Sequence, residues 1–174
     1  MSKSFLLLFF LISFSNLSLG QDRDNLNVSI GIGPNESSDI GIRFQKNQMQ
    51  YGLGFGTNFS QRSGTNRSEI FTGEFFYHFA GKAELSTRRP WYLRNGLILF
   101  KNDTYYLRTL TWLFNPRLGR EFNISKRIGI SLDGGIVTRI KKSSKKIGPN
   151  PRYDDVDESP IFPSFGLNFF YRFF

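Results

Sequence analysis

The chain of 174 residues contains no cysteine, a single histidine and only two tryptophans. Without cysteine, neither a disulfide framework nor a lipid-modified cysteine anchor is available. Downstream of residue 20 no apolar run reaches the ~18 residues that a membrane-crossing helix needs, which excludes a helical membrane protein. Long helical periodicity is missing as well, and no spacing of a Ca²⁺-binding loop occurs. What the chain has instead is twenty phenylalanines, seventeen glycines and a formal charge of +9. Aromatic and glycine enrichment together point to tightly packed β-structure. The basic balance raises nucleic acid as a partner. Lys and Arg are scattered through turns and strands rather than gathered on one stripe, so no nucleic-acid partner is expected.

At the start of the chain Lys3 precedes an apolar run from Phe5 to Ile12, and Ser18-Leu19-Gly20 places small residues where a signal peptidase reads. Residues 1–20 therefore read as a signal peptide, cut between Gly20 and Gln21; the run is too short to cross ~30 Å of hydrocarbon as a helix. Residues 21–174 are enough for one domain.

That domain alternates at period two in segment after segment, and the spacing predicts eight strands. Residues 26–33 set Leu26, Val28, Ile30 and Ile32 against Asn27, Ser29, Gly31 and Gly33. A turn at 34–38 leads to 39–45, with Ile40, Ile42 and Phe44 on one face. In 49–60 a row of glycines lies opposite Met49, Tyr51, Leu53, Phe55 and Phe59. A glycine row weakens an open sheet but makes room for large partners across the lumen of a small closed barrel. Segments 68–79, 90–101, 109–123, 127–140 and the C-terminal strand continue the pattern, with Pro116 marking a bulge. Short connections at 46–48 and 124–126 fall on one side, together with a longer one at 80–89. The connections at 34–38, 61–66, 102–108 and 141–159 fall on the other, 34–38 being shorter than the side's other loops.

The last strand puts Phe165, Leu167, Phe169, Tyr171 and Phe173 on one face and Gly166, Asn168 and Arg172 on the other. It resembles the C-terminal assembly signal of outer-membrane barrels, carried here by Ser164, Gly166, Phe169, Tyr171 and Phe173, with Phe174 one residue beyond the family pattern. Together with Arg89-Pro90-Trp91-Tyr92-Leu93-Arg94 and Asn115-Pro116-Arg117-Leu118-Gly119-Arg120-Glu121-Phe122, this segment makes the chain similar to the small eight-stranded outer-membrane barrels of the OmpX and OmpA-transmembrane type. The likeness is closer still to the short barrel proteins common in Bacteroidetes. It implies an all-β fold, an eight-stranded antiparallel up-and-down transmembrane β-barrel with a polar, plugged lumen. It also implies an address in the outer membrane, contact with outer-membrane lipid and lipopolysaccharide, insertion by the barrel-assembly machinery, a monomer, and a structural or surface-interaction role such as adhesion.

On the inward faces, Arg43, Glu74, Arg94, Arg117, Glu121, Asp133, Arg139 and Arg172 bring both signs of charge into one narrow space, as an ion-pair network filling the lumen would. A charged path for ions is the functional alternative. His78, the one histidine, is the first candidate for a general base, as in barrels that modify lipid A. It is followed by Phe79 and Ala80 rather than by the His-x-Ser pattern of the deacylase type, and it falls near the periplasmic rim, so no catalysis, cofactor or metal is expected. The 141–159 loop has a basic half, Lys141, Lys142, Lys145, Lys146 and Arg152, suited to lipopolysaccharide phosphates. Its acidic half is Asp154, Asp155, Asp157 and Glu158, a weak candidate for a divalent cation. The rival architecture is a secreted, soluble lipocalin-like barrel with its aromatics inside around a small apolar ligand. Its outer face would then be dominated by Gly, Ser, Asn and Thr rather than by the Lys and Glu that solubility favours.

Overall fold

The structure, a computed structural model, describes residues 26–33, 37–57, 67–104, 107–147 and 161–173. Eight strands follow in chain order: β1 (Leu26–Gly33), β2 (Ser37–Lys46), β3 (Met49–Thr57), β4 (Arg67–Ala80), β5 (Trp91–Asp103), β6 (Leu107–Asn123), β7 (Ile128–Lys146) and β8 (Ile161–Phe173). Among the described residues there is no helix. Each strand pairs antiparallel with the next, and β1 pairs with β8 from Leu26↔Phe173 to Ile32↔Leu167, so the sheet closes into a barrel. The end where β1 begins and β8 ends is called here the terminal end, and the opposite one the far end.

The strands form where the period-two pattern places them, with small shifts at several ends, among them β5 to Asp103 and β6 from Leu107 inside the predicted 102–108 connection, and three further differences. β2 starts at Ser37, two residues earlier than the alternation suggests. β7 runs on to Lys146, so Lys141–Lys146, predicted as loop, is strand paired with Leu107–Trp112 of β6. The basic run offered no apolar alternation to betray it, and β6 supplies the pairing. The third difference concerns Pro116. The register shift between β6 and β7 lies at Trp112/Leu113, where Ile140 is the extra residue, and not at Pro116. Pro116 lacks an N–H and leaves a gap in the ladder to β7, yet Phe114↔Thr138 and Arg117↔Gly135 on either side keep one offset.

The tightest connection is Asn47-Gln48, between the paired Lys46 and Met49. Asn47 adopts φ 56°, a left-handed conformation that asparagine tolerates, and its carbonyl accepts the Gln45 side-chain amide at 2.9 Å.

The two faces of the barrel wall differ completely. Large apolar side chains point outward on every strand and are exposed, with Leu53 at 74%, Phe165 at 63% and Ile40 at 62%. Inward positions are buried and mostly polar or charged, and Arg94 and His78 are both at 0%. An eight-stranded interior is only wide enough for side chains to fill. Glycine makes the room: a Cβ at Gly52 would come within 2.9 Å of Glu74 Oε2 and 3.1 Å of Arg43 Cγ.

Candidate functional site: the charged barrel interior

Three buried carboxylates organise the interior, and each is bracketed by two guanidinium groups. Glu74 of β4 accepts from Nε of Arg43 on β2 at 3.0 Å and from Nη2 of Arg94 on β5. Asp133 of β7 accepts from Nη1 of Arg117 on β6 at 2.9 Å and lies 3.7 Å from Nη1 of Arg94, so Arg94 joins the two acids. The Tyr92 hydroxyl donates to the other Asp133 oxygen at 2.9 Å. Arg117 also donates from Nε to Asn115 at 3.0 Å, and Arg43 from Nη2 to Asn168 of β8 at 3.4 Å. This central cluster therefore ties six strands together across the lumen.

The second cluster closes the terminal end. Glu121 of β6 faces Arg88, whose Nε and Nη2 lie 2.9 and 2.7 Å from the same oxygen, and Arg172 of β8 at 3.3 Å. Arg88 donates on to Gln45 at 2.6 Å, and Arg172 to Asn123 at 2.6 Å. Arg88 belongs to no strand. It sits in the β4–β5 connection, residues 81–90, which folds over the barrel mouth and drives this one side chain inward until it is 1% exposed. The Gln48 side chain pins that connection by donating to Thr87 O at 3.2 Å and accepting from Arg89 N at 3.0 Å. Guanidinium groups also lie over interior rings: Arg43 is 4.6 Å from the Phe76 centroid, and Arg172 is 4.6 Å from that of Phe170.

Burying so many charges is favourable only when every ion keeps its partners. Five buried arginines (Arg43, Arg88, Arg94, Arg117, Arg172) stand against four buried carboxylates (Asp39, Glu74, Glu121, Asp133), a near balance of charge. Toward the far end Ile70, Ile98 and Val137 are buried as well, so the interior is not polar throughout.

The inward residues singled out from the sequence thus fall into two groups, Arg43, Glu74, Arg94, Arg117 and Asp133 in the centre and Glu121 with Arg172 at the terminal end. Arg139 is only half-buried and lies further along β7 toward the far end than Val137. His78 is buried between Phe76 and Tyr92, and its Nδ1 donates to Arg89 O at 2.8 Å. In β8, Ser164 and Gly166 face inward, while Phe169, Tyr171 and Phe173 face outward. A Cβ at Gly166 would meet Arg117 Nη1 at 2.5 Å and Asp133 Oδ1 at 2.7 Å, so its glycine is fixed by the central ion pair. Gly20, Gln21, Arg152 and the acidic run from Asp154 to Glu158 lie outside the described residues. Among the described residues no cluster of three or more His, Asp or Glu could hold a metal ion. Two members escaped the sequence reading: Arg88 lies in a connection with no periodicity to place it, whereas Tyr92 shares the parity of Arg94 and is legible by alternation alone.

At the far end the outward face turns from apolar to charged. Lys101 lies 3.0 Å from Glu69 and 3.6 Å from Asp103, and Arg108 lies 2.7 Å from Asp103. Lys145 is the cross-strand partner of Arg108, and Lys141 that of Trp112.

Fold and interior together define a closed, eight-stranded, antiparallel β-barrel with paired charges inside and an apolar surface outside. No protein-family model, curated protein or solved structure matches the chain.

Proposed function

We propose that this is an integral outer-membrane β-barrel of the small eight-stranded kind, exported by a leader over residues 1–20, with a polar, plugged lumen and a structural or surface-interaction role rather than a catalytic one. The outward apolar surface carries the proposal. In water such a continuous girdle of exposed Leu, Ile and Phe would drive association, whereas in a bilayer it is the surface that lipid requires.

Its height fits as well. Trp91 faces Arg120, eight residues along β6 from Trp112, and both tryptophans point outward. Eight residues are about 27 Å of strand, or about 21 Å along the barrel axis at a tilt near 40°. Aromatic girdles flanking an apolar band of about 25 Å are the membrane-barrel pattern.

Inside, the burial of Glu74, Asp133 and the arginines that bracket them supports a filled barrel over a conducting one. The far-end row of Lys101, Arg108, Lys141 and Lys145, set level with Trp112 and beyond it, suits the phosphates of lipopolysaccharide in the outer leaflet. Insertion by the barrel-assembly machinery, a monomeric state and no nucleic-acid partner complete the proposal.

Membrane fractionation combined with electrophoresis in dodecyl sulfate, boiled against unboiled, tests it. A closed membrane barrel tracks with the outer membrane and changes mobility on boiling. A protein recovered soluble, with one mobility in both lanes, overturns the proposal.

A further inference from the structure

Along the outward face of β6, between Trp112 and Phe122, the side chains are Trp112, Phe114, Pro116, Leu118, Arg120 and Phe122. Arg120 is the one charge in that series. Its side chain makes no hydrogen bond and no ion pair with any described residue; the guanidinium is held only by two rings, 5.4 Å from that of Trp91 and 5.1 Å from that of Phe122. A cation placed over two aromatic faces is oriented without spending its N–H donors.

Beside it runs a groove of about 390 Å³, lined by Trp91, Leu118, Arg120, Phe122, Leu132 and Gly134. Gly134 opens the groove. A Cβ there would meet nothing nearer than the Ser164 carbonyl oxygen at 3.9 Å, so the packing of the chain does not itself require glycine at this point. A second outer groove of about 370 Å³, bordered by Ile32, Leu132, Phe165 and Leu167, has no Lys or Arg in its lining.

The position of Arg120 makes the charge informative. It lies three residues from the end of β6 at the terminal end, about 8 Å in depth by strand rise and tilt. There an arginine reaches the headgroup level, where the cost of a lipid-facing cation has fallen to about 0–1 kcal/mol from about 2–4 kcal/mol at the midplane.

We propose that Arg120 and the Gly134 groove form a site for one glycerophospholipid of the leaflet at the terminal end. The guanidinium binds the headgroup phosphate through its free N–H fork, and one acyl chain lies in the groove over Gly134 between Leu118 and Leu132. The proposal rests on the membrane-spanning assignment made above. The second groove, having no cation, retains no specific lipid.

Native mass spectrometry of the intact barrel, extracted in a non-ionic detergent, reads the site directly. Its probes are phosphatidylglycerol, diacylglycerol with the same chains, lipopolysaccharide and inorganic phosphate. The wild type is expected to retain one phosphatidylglycerol in preference to the other three. Arg120→Gln lowers that retention roughly tenfold, the scale of one charge-assisted hydrogen bond. Gly134→Leu, which fills the groove and leaves the cation in place, lowers it too, and Arg120→Lys restores part of it. Equal retention by wild type and Arg120→Gln overturns the site, as does a preference for lipopolysaccharide. Inorganic phosphate binding as well as the lipid overturns the role of the groove. The same extract run boiled and unboiled separates the two levels of inference. Persisting heat modifiability with unchanged lipid retention in Arg120→Gln removes this site alone, and a wild type without heat modifiability removes the membrane assignment with it.

Discussion

The inner and outer faces of the same eight strands obey opposite rules. Outside, Leu53, Ile40 and Phe165 are each more than half exposed, and any large apolar residue would present the same kind of surface. Inside, Glu74 must be a carboxylate because Arg43 and Arg94 both face it, and Gly52 and Gly166 must lack a side chain because the Arg43–Glu74 and Arg117–Asp133 pairs occupy the space. Specificity has moved from an apolar core to a polar one. In the interior single residues matter, whereas across the apolar belt outside, away from Arg120 and Gly134, only the type of residue matters.

Glu74→Gln should break that contrast most severely, since it leaves two buried guanidinium groups around one neutral amide. The expected cost is about 3–5 kcal/mol, read as a drop in the urea midpoint of the barrel refolded into vesicles. Leu53→Arg comes next, at about 2–4 kcal/mol by the same assay if the middle of β3 faces lipid. Were that face in water the substitution would be nearly silent, so this variant sharpens the distinction between the two environments. Arg88→Ala removes the plug side chain of the β4–β5 connection while Glu121 keeps Arg172. A loss of about 1–3 kcal/mol is expected, with faster amide exchange confined to residues 81–90. The smallest effect belongs to the far-end rim: Lys101→Ala, at a partly exposed pair with Glu69, should change the midpoint by no more than about 0–1 kcal/mol.

The barrel was legible because period-two alternation records a wall with two different surroundings, and it did so on every strand. Glu74, Phe76 and His78 on β4 share one parity, and Phe71, Tyr77 and Phe79 the other, as their burial shows. Alternation gives faces but neither partners nor ends. The pairing of Arg88 with Glu121 joins residues 33 apart through a connection with no repeat. The last six residues of β7 are basic on both faces, so only their pairing with β6 marks them as strand. Pro116 is visible in the sequence, but whether a missing N–H shifts the register or merely interrupts it depends on the neighbouring strand. Ile140 takes up the shift instead.

The central claim is that the outward face lies in a bilayer, and the two tryptophans test it most directly because they sit at opposite ends of the apolar belt. The measurement is the fluorescence of Trp91→Phe and Trp112→Phe, each with one tryptophan left, in vesicles carrying lipids brominated at graded depths. Both remaining tryptophans should be quenched most strongly by bromines about 10 Å from the bilayer centre and be shielded from aqueous iodide. Quenching by iodide without any response to brominated lipid, at either tryptophan, would contradict the account.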